Sequence, residues 1–81
     1  MRLRLLSALE VLQARREAEG LARAPKEHAL CSNACLLARA LETEEGSPVF
    51  SGGEAVLAGL RVEEIAALSM EQEEAEELKK N

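Results

Sequence analysis

Apolar residues recur at helical spacing through most of the chain. Leu5, Leu9 and Leu12 lead into Arg16 at steps of three and four, with Leu6 and Val11 alongside. That is the repeat of one face of a helix. Ser7 and Glu10 stand at the S-x-x-E spacing of a capping box, in which each side chain satisfies a backbone N–H left free at the helix start. The first helix is therefore predicted to begin at Ser7. Gly20 is placed to end it in the left-handed conformation. Ala24, preceding Pro25, is biased away from helix, and Pro25 suits the first turn of a second one.

The second helix is predicted from Pro25 to about Glu42. Its middle, from Ala29 to Leu41, is almost wholly apolar. At about 100° per residue, His28, Ser32 and Arg39 share one narrow stripe, and Leu30, Ala34, Leu37 and Leu41 fill the opposite arc. An arc this wide belongs to a helix packed on more than one side. Asn33 falls inside the arc. A buried amide needs hydrogen bonds, so Asn33 is expected to cap or pin a loop backbone.

Glu44 to Pro48 reads as a turn, and Val49-Phe50 as a short extended pair that tucks the Phe onto the core. Ser51 and Glu54 repeat the capping-box spacing, predicting a short helix over Gly53–Ala58 that stops at Gly59. A last helix follows from about Glu63, with Val62, Ile65, Ala66 and Leu68 on its buried side. Beyond Met70 the apolar pattern gives way to Glu71, Glu73, Glu74, Glu76 and Glu77. The expected fold is all-α: a small bundle of three to four helices with one Gly/Ser/Pro loop near residues 45–53. Residues 1–70 form the helical domain, and residues 71–81 a Glu-rich helical extension or tail.

Composition supports helix over sheet. Of 81 residues, 14 are Leu and 14 Ala, against only six β-branched. A chain this short buries roughly 60–65% of its unfolded surface, so self-association is an economical way to gain buried area. A homo-oligomer, or a domain completed by its partner, is expected. No apolar run reaches the roughly 18–20 residues of a membrane span. The basic and apolar start, Met1 to Leu6, is interrupted at Glu10, Gln13, Arg15 and Arg16, unlike a signal peptide. The reading is a cytoplasmic protein with no membrane partner.

Charge narrows the function further. Ten Lys/Arg face fifteen acids, all Glu, for a net charge of −5. Nucleic-acid binding, which needs cations to displace counterions, is disfavoured. With Phe50 the only aromatic, base stacking is disfavoured too. One His and no Asp leave no Ser-His-Asp triad. His28 has no evident base partner or orienting Asp, so it reads as a surface residue and the chain as no enzyme. Cys31 and Cys35 lack a second ligand pair for zinc, and their spacing on one helix suits a disulfide poorly. They read as small buried thiols. The glutamates after Met70 lack the interleaved Asp/Asn and Gly of a calcium loop. Ser51-Gly52-Gly53 is not followed by the Lys of a phosphate loop. No cofactor or metal is expected. Residues 1–41 sum to +3 and residues 42–81 to −8, an asymmetry that suits a solvated acidic end or head-to-tail contacts between copies.

The order of these features resembles a known family. The first helix carries Ser7-Ala8-Leu9-Glu10-Val11-Leu12 and Ala14-Arg15-Arg16-Glu17-Ala18. Then come Leu30 to Leu41, Gly46 to Leu57, and Leu60-Arg61-Val62-Glu63-Glu64-Ile65-Ala66-Ala67-Leu68. Together these are similar to the small tail assembly chaperones of long-tailed phages and prophages, which close on a helix of the type L-[ST]-x-E-E-I-x-x-L. Here Arg61 replaces the usual Ser/Thr cap, and no Tyr or Trp follows Leu68. The resemblance implies a protein that binds the tape measure protein, a long helical chain with apolar stripes, and keeps it soluble while the tail tube assembles. It also implies a longer form made by a −1 frameshift, for which A-AAA-AAY codons at Lys80-Asn81 would serve.

A partner helix would lie against a Leu/Ala-rich surface, for which Leu6, Leu12, Leu21 and Leu36 are the candidates. Ser7, Glu10, Asn33, Ser51 and Glu54 are the expected caps and structural polar residues. The alternative is an acidic helical inhibitor or regulator that docks on a basic protein site, carried by the glutamates of residues 63–77. Salt separates the two, because an electrostatic inhibitor loses binding steeply as salt rises and an apolar groove does not.

Overall fold

Ser7 starts the first helix as its spacing predicts. Its hydroxyl accepts from the Glu10 N–H at 3.2 Å, and the Glu10 carboxylate accepts from the Ser7 N–H at 3.0 Å. The computed structural model describes residues 1–80, so Asn81 and its half of the proposed slippery site lie outside the described residues. The chain runs β1 (Arg2–Leu3), α1 (Ala8–Leu21), a 3₁₀ turn (Pro25–Glu27), α2 (His28–Ala40), β2 (Leu41–Glu42), α3 (Gly53–Gly59) and α4 (Val62–Lys80). The fold is a small, mostly helical bundle with one two-stranded ribbon. Among the described residues no helix is long and apolar enough to cross a membrane.

Helix α2 is the hub, packing against α1, α3 and α4. On one side Ala34, Leu37, Ala38 and Leu41 meet Val56 of α3 and Ile65 of α4, with Phe50 and Leu60 closing the edge. On the other side Ala14 and Ala18 of α1 pack on Cys31 and Cys35. This second seam is built from small side chains, which let two helices approach closely.

That seam corrects the expectation for α1. Its inward residues are alanines, and Leu9 and Leu12 are 60% and 48% exposed. Ala14 lies about 140° round the helix from Leu9 at 100° per residue, so burying one face turns the other outward. Gly20 does not end α1. The helix continues through Leu21 to an extended Ala22, whose N–H donates to the Ala18 carbonyl. Only Gly46 has a positive φ among the described residues. It closes the turn after Thr43, where its N–H donates to the Thr43 carbonyl at 2.9 Å.

Helix α2 also stops two residues earlier than its apolar pattern suggests. Leu41 and Glu42 instead pair antiparallel with Leu3 and Arg2. The Arg4 N–H donates to the Ala40 carbonyl at 2.9 Å, satisfying one of the acceptors freed at the helix end. Arg2 Nε donates to Glu42 at 2.8 Å across the ribbon. Phe50 is half-buried against the core, and its ring lies close to Gly59, where an added Cβ would meet it at 3.0 Å.

Helix α4 crosses residue 70 without a break and continues to Lys80. Ile65 and Gln72 are its buried residues, whereas Val62 and Ala66, expected on the buried side, are exposed. Arg61 serves as a backbone cap, its N–H donating to Glu64 at 2.8 Å.

Candidate protein-binding groove

The second half of α4 is held to the body mainly by polar groups. Gln72 Nε2 donates to the Arg4 carbonyl at 3.0 Å. Glu76 Oε1 accepts from the Leu6 N–H at 3.0 Å and from Gln72 Nε2 at 3.3 Å. An open groove of about 360 Å³ remains, lined by Leu6, Val11 and Leu36 on one side and by Gln72, Glu73, Glu76 and Glu77 on the other. A smaller cavity of about 50 Å³ continues it between α2 and α4, lined in part by Asn33, Leu36, Ser69 and Gln72. Ser69 Oγ and Gln72 Oε1 are buried there without a hydrogen-bond partner among the described residues.

The four leucines proposed for partner binding divide. Leu36 is half-buried and lines the groove; Leu6 lines it from below but is only 7% exposed. Leu6 is covered because Glu76 bonds its N–H and draws α4 over it. Leu12 is exposed on the outer face of α1, one residue from Val11. Leu21 is turned away, packed against the Ala14–Cys35 seam. Among the structural residues, Ser7 and Glu10 form their box. Asn33 corrects the expectation of a buried, loop-pinning amide. It is half-buried beside α4, and no side-chain hydrogen bond joins it to a loop among the described residues.

Ser51 and Glu54 form no capping box. Gly52 occupies the cap position and offers no side chain, and both Ser51 and Glu54 are exposed. The α3 start is served instead by Glu17 of α1, whose Oε2 accepts from the Gly53 N–H at 2.8 Å. Its other oxygen accepts from Arg39 Nη1 at 2.6 Å. Gly52 allows this approach, since a Cβ there would meet the Glu17 carboxylate at 3.1 Å. Burial pushes the Glu17 carboxyl up, but hydrogen bonds from Arg39 and Gly53 and the Arg39 charge outweigh it, and the net shift is down. Burial beside Glu17 pushes the Cys35 thiol up to about 12. Both cysteines are free and buried, and the raised thiol of Cys35 stays protonated, which makes it neither a nucleophile nor a metal ligand. Among the described residues no group of three or more His, Cys or Glu is placed to hold a metal.

This Glu17–Arg39 pair faces a cleft of about 400 Å³ that also includes Arg4, Glu42 and Phe50. Each cation there is already engaged, Arg4 by Glu10 and Arg39 by Glu17. The cleft therefore offers no free cation among the described residues, and its perturbed carboxylates read as structural.

Both carboxylates tie stability to acid. The hydrogen bond from Arg4, then that from the Ser7 N–H, hold the Glu10 carboxyl at about 2, against an ordinary value of 4.5. A folded value below the unfolded one gives stability that is present above the unfolded value and lost as pH falls through the folded one. The denaturant midpoint should thus be level at neutral pH and fall between about pH 4.5 and pH 2. Unfolding curves across that range should show Glu10→Gln and Glu17→Gln each lowering the neutral-pH midpoint and flattening the acid slope. An unchanged slope in both variants would place the acid sensitivity elsewhere.

Gln72, Glu73 and Glu76 were not legible as groove residues. The signal available was the spacing Ile65, Leu68, Gln72, Ala75, which continues the buried stripe of α4 through the glutamates. Comparison of the chain with protein-family models, curated proteins and solved structures returns no match.

Proposed function

We propose that this protein acts by binding an amphipathic helical chain, as a phage tail assembly chaperone that keeps the tape measure protein soluble in the bacterial cytoplasm. The observation that carries the reading is the open groove with Leu36 and Val11 on its apolar side. A groove between helices with one apolar wall is a shape against which the apolar face of another helix is laid. Exposed Leu9 and Leu12 add apolar surface on the outer face of α1. The polar, acidic remainder keeps a complex with an aggregation-prone chain in solution. The order of sequence features supports the choice of partner.

The exposed Glu71, Glu73, Glu74 and Glu77 of α4 favour the second reading, an acidic inhibitor of a basic site. Affinity capture of the tagged protein from its native host, with partners identified by mass, tests both. A long, helix-rich chain retained at high salt is the expected result, and co-expression should then raise that chain's soluble fraction. A basic enzyme or repressor released by salt would replace this reading with the inhibitor.

A further inference from the structure

We infer that the groove selects a helix whose apolar stripe is flanked by Lys or Arg. The inference rests on the helix-binding reading above and specifies the chemistry of the occupant. The two walls differ in kind. Val11 and Leu36 supply an apolar wall, and α4 supplies Glu73, Glu76 and Glu77. Among the described residues no Lys or Arg lines the groove. Glu76 is already engaged by the Leu6 N–H and Gln72. Glu73 and Glu77 are exposed, and neither is in an ion pair among the described residues. An occupant with apolar residues and neutral flanks would leave these charges unanswered. One with acidic flanks would be repelled, and like-charge juxtaposition is an effective means of rejecting partners. A basic flank meets them.

The volume fits this occupant. About 360 Å³ holds a few aliphatic side chains from one or two helical turns and leaves the partner's polar face in water. The rim pairs then stay solvent-exposed. They add selectivity and a modest salt dependence, while the apolar wall retains most of the affinity.

The test uses the full chain and three synthetic helical peptides with one shared leucine stripe at i, i+3, i+4 and i+7. The flanks are Lys/Arg, Gln or Glu. Fluorescence anisotropy reads affinity, and methyl chemical shifts read the site. The basic peptide should bind about tenfold more tightly than the Gln peptide, the Glu peptide should bind most weakly, and the Val11 and Leu36 methyls should shift. Glu73→Gln with Glu77→Gln, both at exposed positions, should weaken the basic peptide about fivefold and so remove most of its advantage over the Gln peptide. Leu36→Glu should weaken all three, with the melting curve checking that the variant is folded. Equal binding of basic and Gln peptides at the Val11–Leu36 wall would overturn the charge selection and leave the groove standing. Shifts confined to other methyls, or no binding by any peptide, would overturn the groove itself. Concentration-dependent shifts of Val11 and Leu36 without peptide would assign the groove to a second copy and overturn the basic-helix occupant.

Discussion

Gly53→Ala should cost about 3 kcal/mol, the upper part of the range for overpacking a close-packed site. Gly53 is buried at the start of α3, where an added Cβ would overlap Cys35 Sγ and meet both the Cys35 Cα and Leu21 Cδ1 at 3.2 Å. The obstruction is partly backbone, so rotation of one side chain does not relieve it. Nor does the backbone conformation oppose alanine, because Gly53 has no positive φ. Helix propensity favours alanine by up to about 1 kcal/mol, so a net loss isolates the steric contribution. If α3 instead shifts outward, it lengthens the 2.8 Å bond from the Gly53 N–H to Glu17 and exposes Val56. Either way the melting temperature should fall by roughly 10–20 °C for a domain of this size. Adding Cys35→Ala to Gly53→Ala removes the Sγ overlap but leaves the α2 backbone just as close, so about half of the loss should return. A urea midpoint for Gly53→Ala within error of the parent, or no coupling with Cys35→Ala, would show that α3 does not sit this close to α2.

That close approach also explains what the sequence could and could not reveal. Capping at Ser7 was legible because both partners lie within one turn. The breadth of the apolar arc marked α2 as central for the same local reason. The end of α2 was not legible, because Leu41 and Glu42 are claimed by Leu3 and Arg2 from the far side of α1. Local spacing gave Ser51 and Glu54 the cap of α3, but tertiary structure gives that role to Glu17, 36 residues away. On α1 the leucine stripe competed with an alanine stripe of the same period. The small residues won the interior, where they pack on the equally small Cys31 and Cys35. In the groove, Leu36 could be anticipated from α2 alone. Its acidic wall could not, because the glutamate run around Gln72 hides the seam that docks α4.

Ile65→Ala tests that docking most directly and should cost about 2–4 kcal/mol, the usual range for truncating a buried Ile. Ile65 is 1% exposed and joins Leu37, Leu41 and Val56 in the main cluster. It is the large apolar side chain through which α4 is fully anchored; farther along, Leu68 is only half-buried and the buried residue is Gln72. Loss of the anchor should therefore loosen the whole of α4 and not only its first turns. Hydrogen exchange should speed across residues 62–80 by more than it does in α1, and denaturant unfolding should show the stability loss. Since α4 carries one wall of the groove, peptide binding should weaken in the same variant. Leu12→Ala provides the contrast: at 48% exposure it should change stability by no more than about 0.5 kcal/mol. If Ile65→Ala instead costs under about 1 kcal/mol with α4 still protected, the Gln72–Arg4 and Glu76–Leu6 hydrogen bonds hold the helix on their own. The groove wall would then be polar-latched rather than core-anchored, and changes at Gln72 rather than Ile65 would open it.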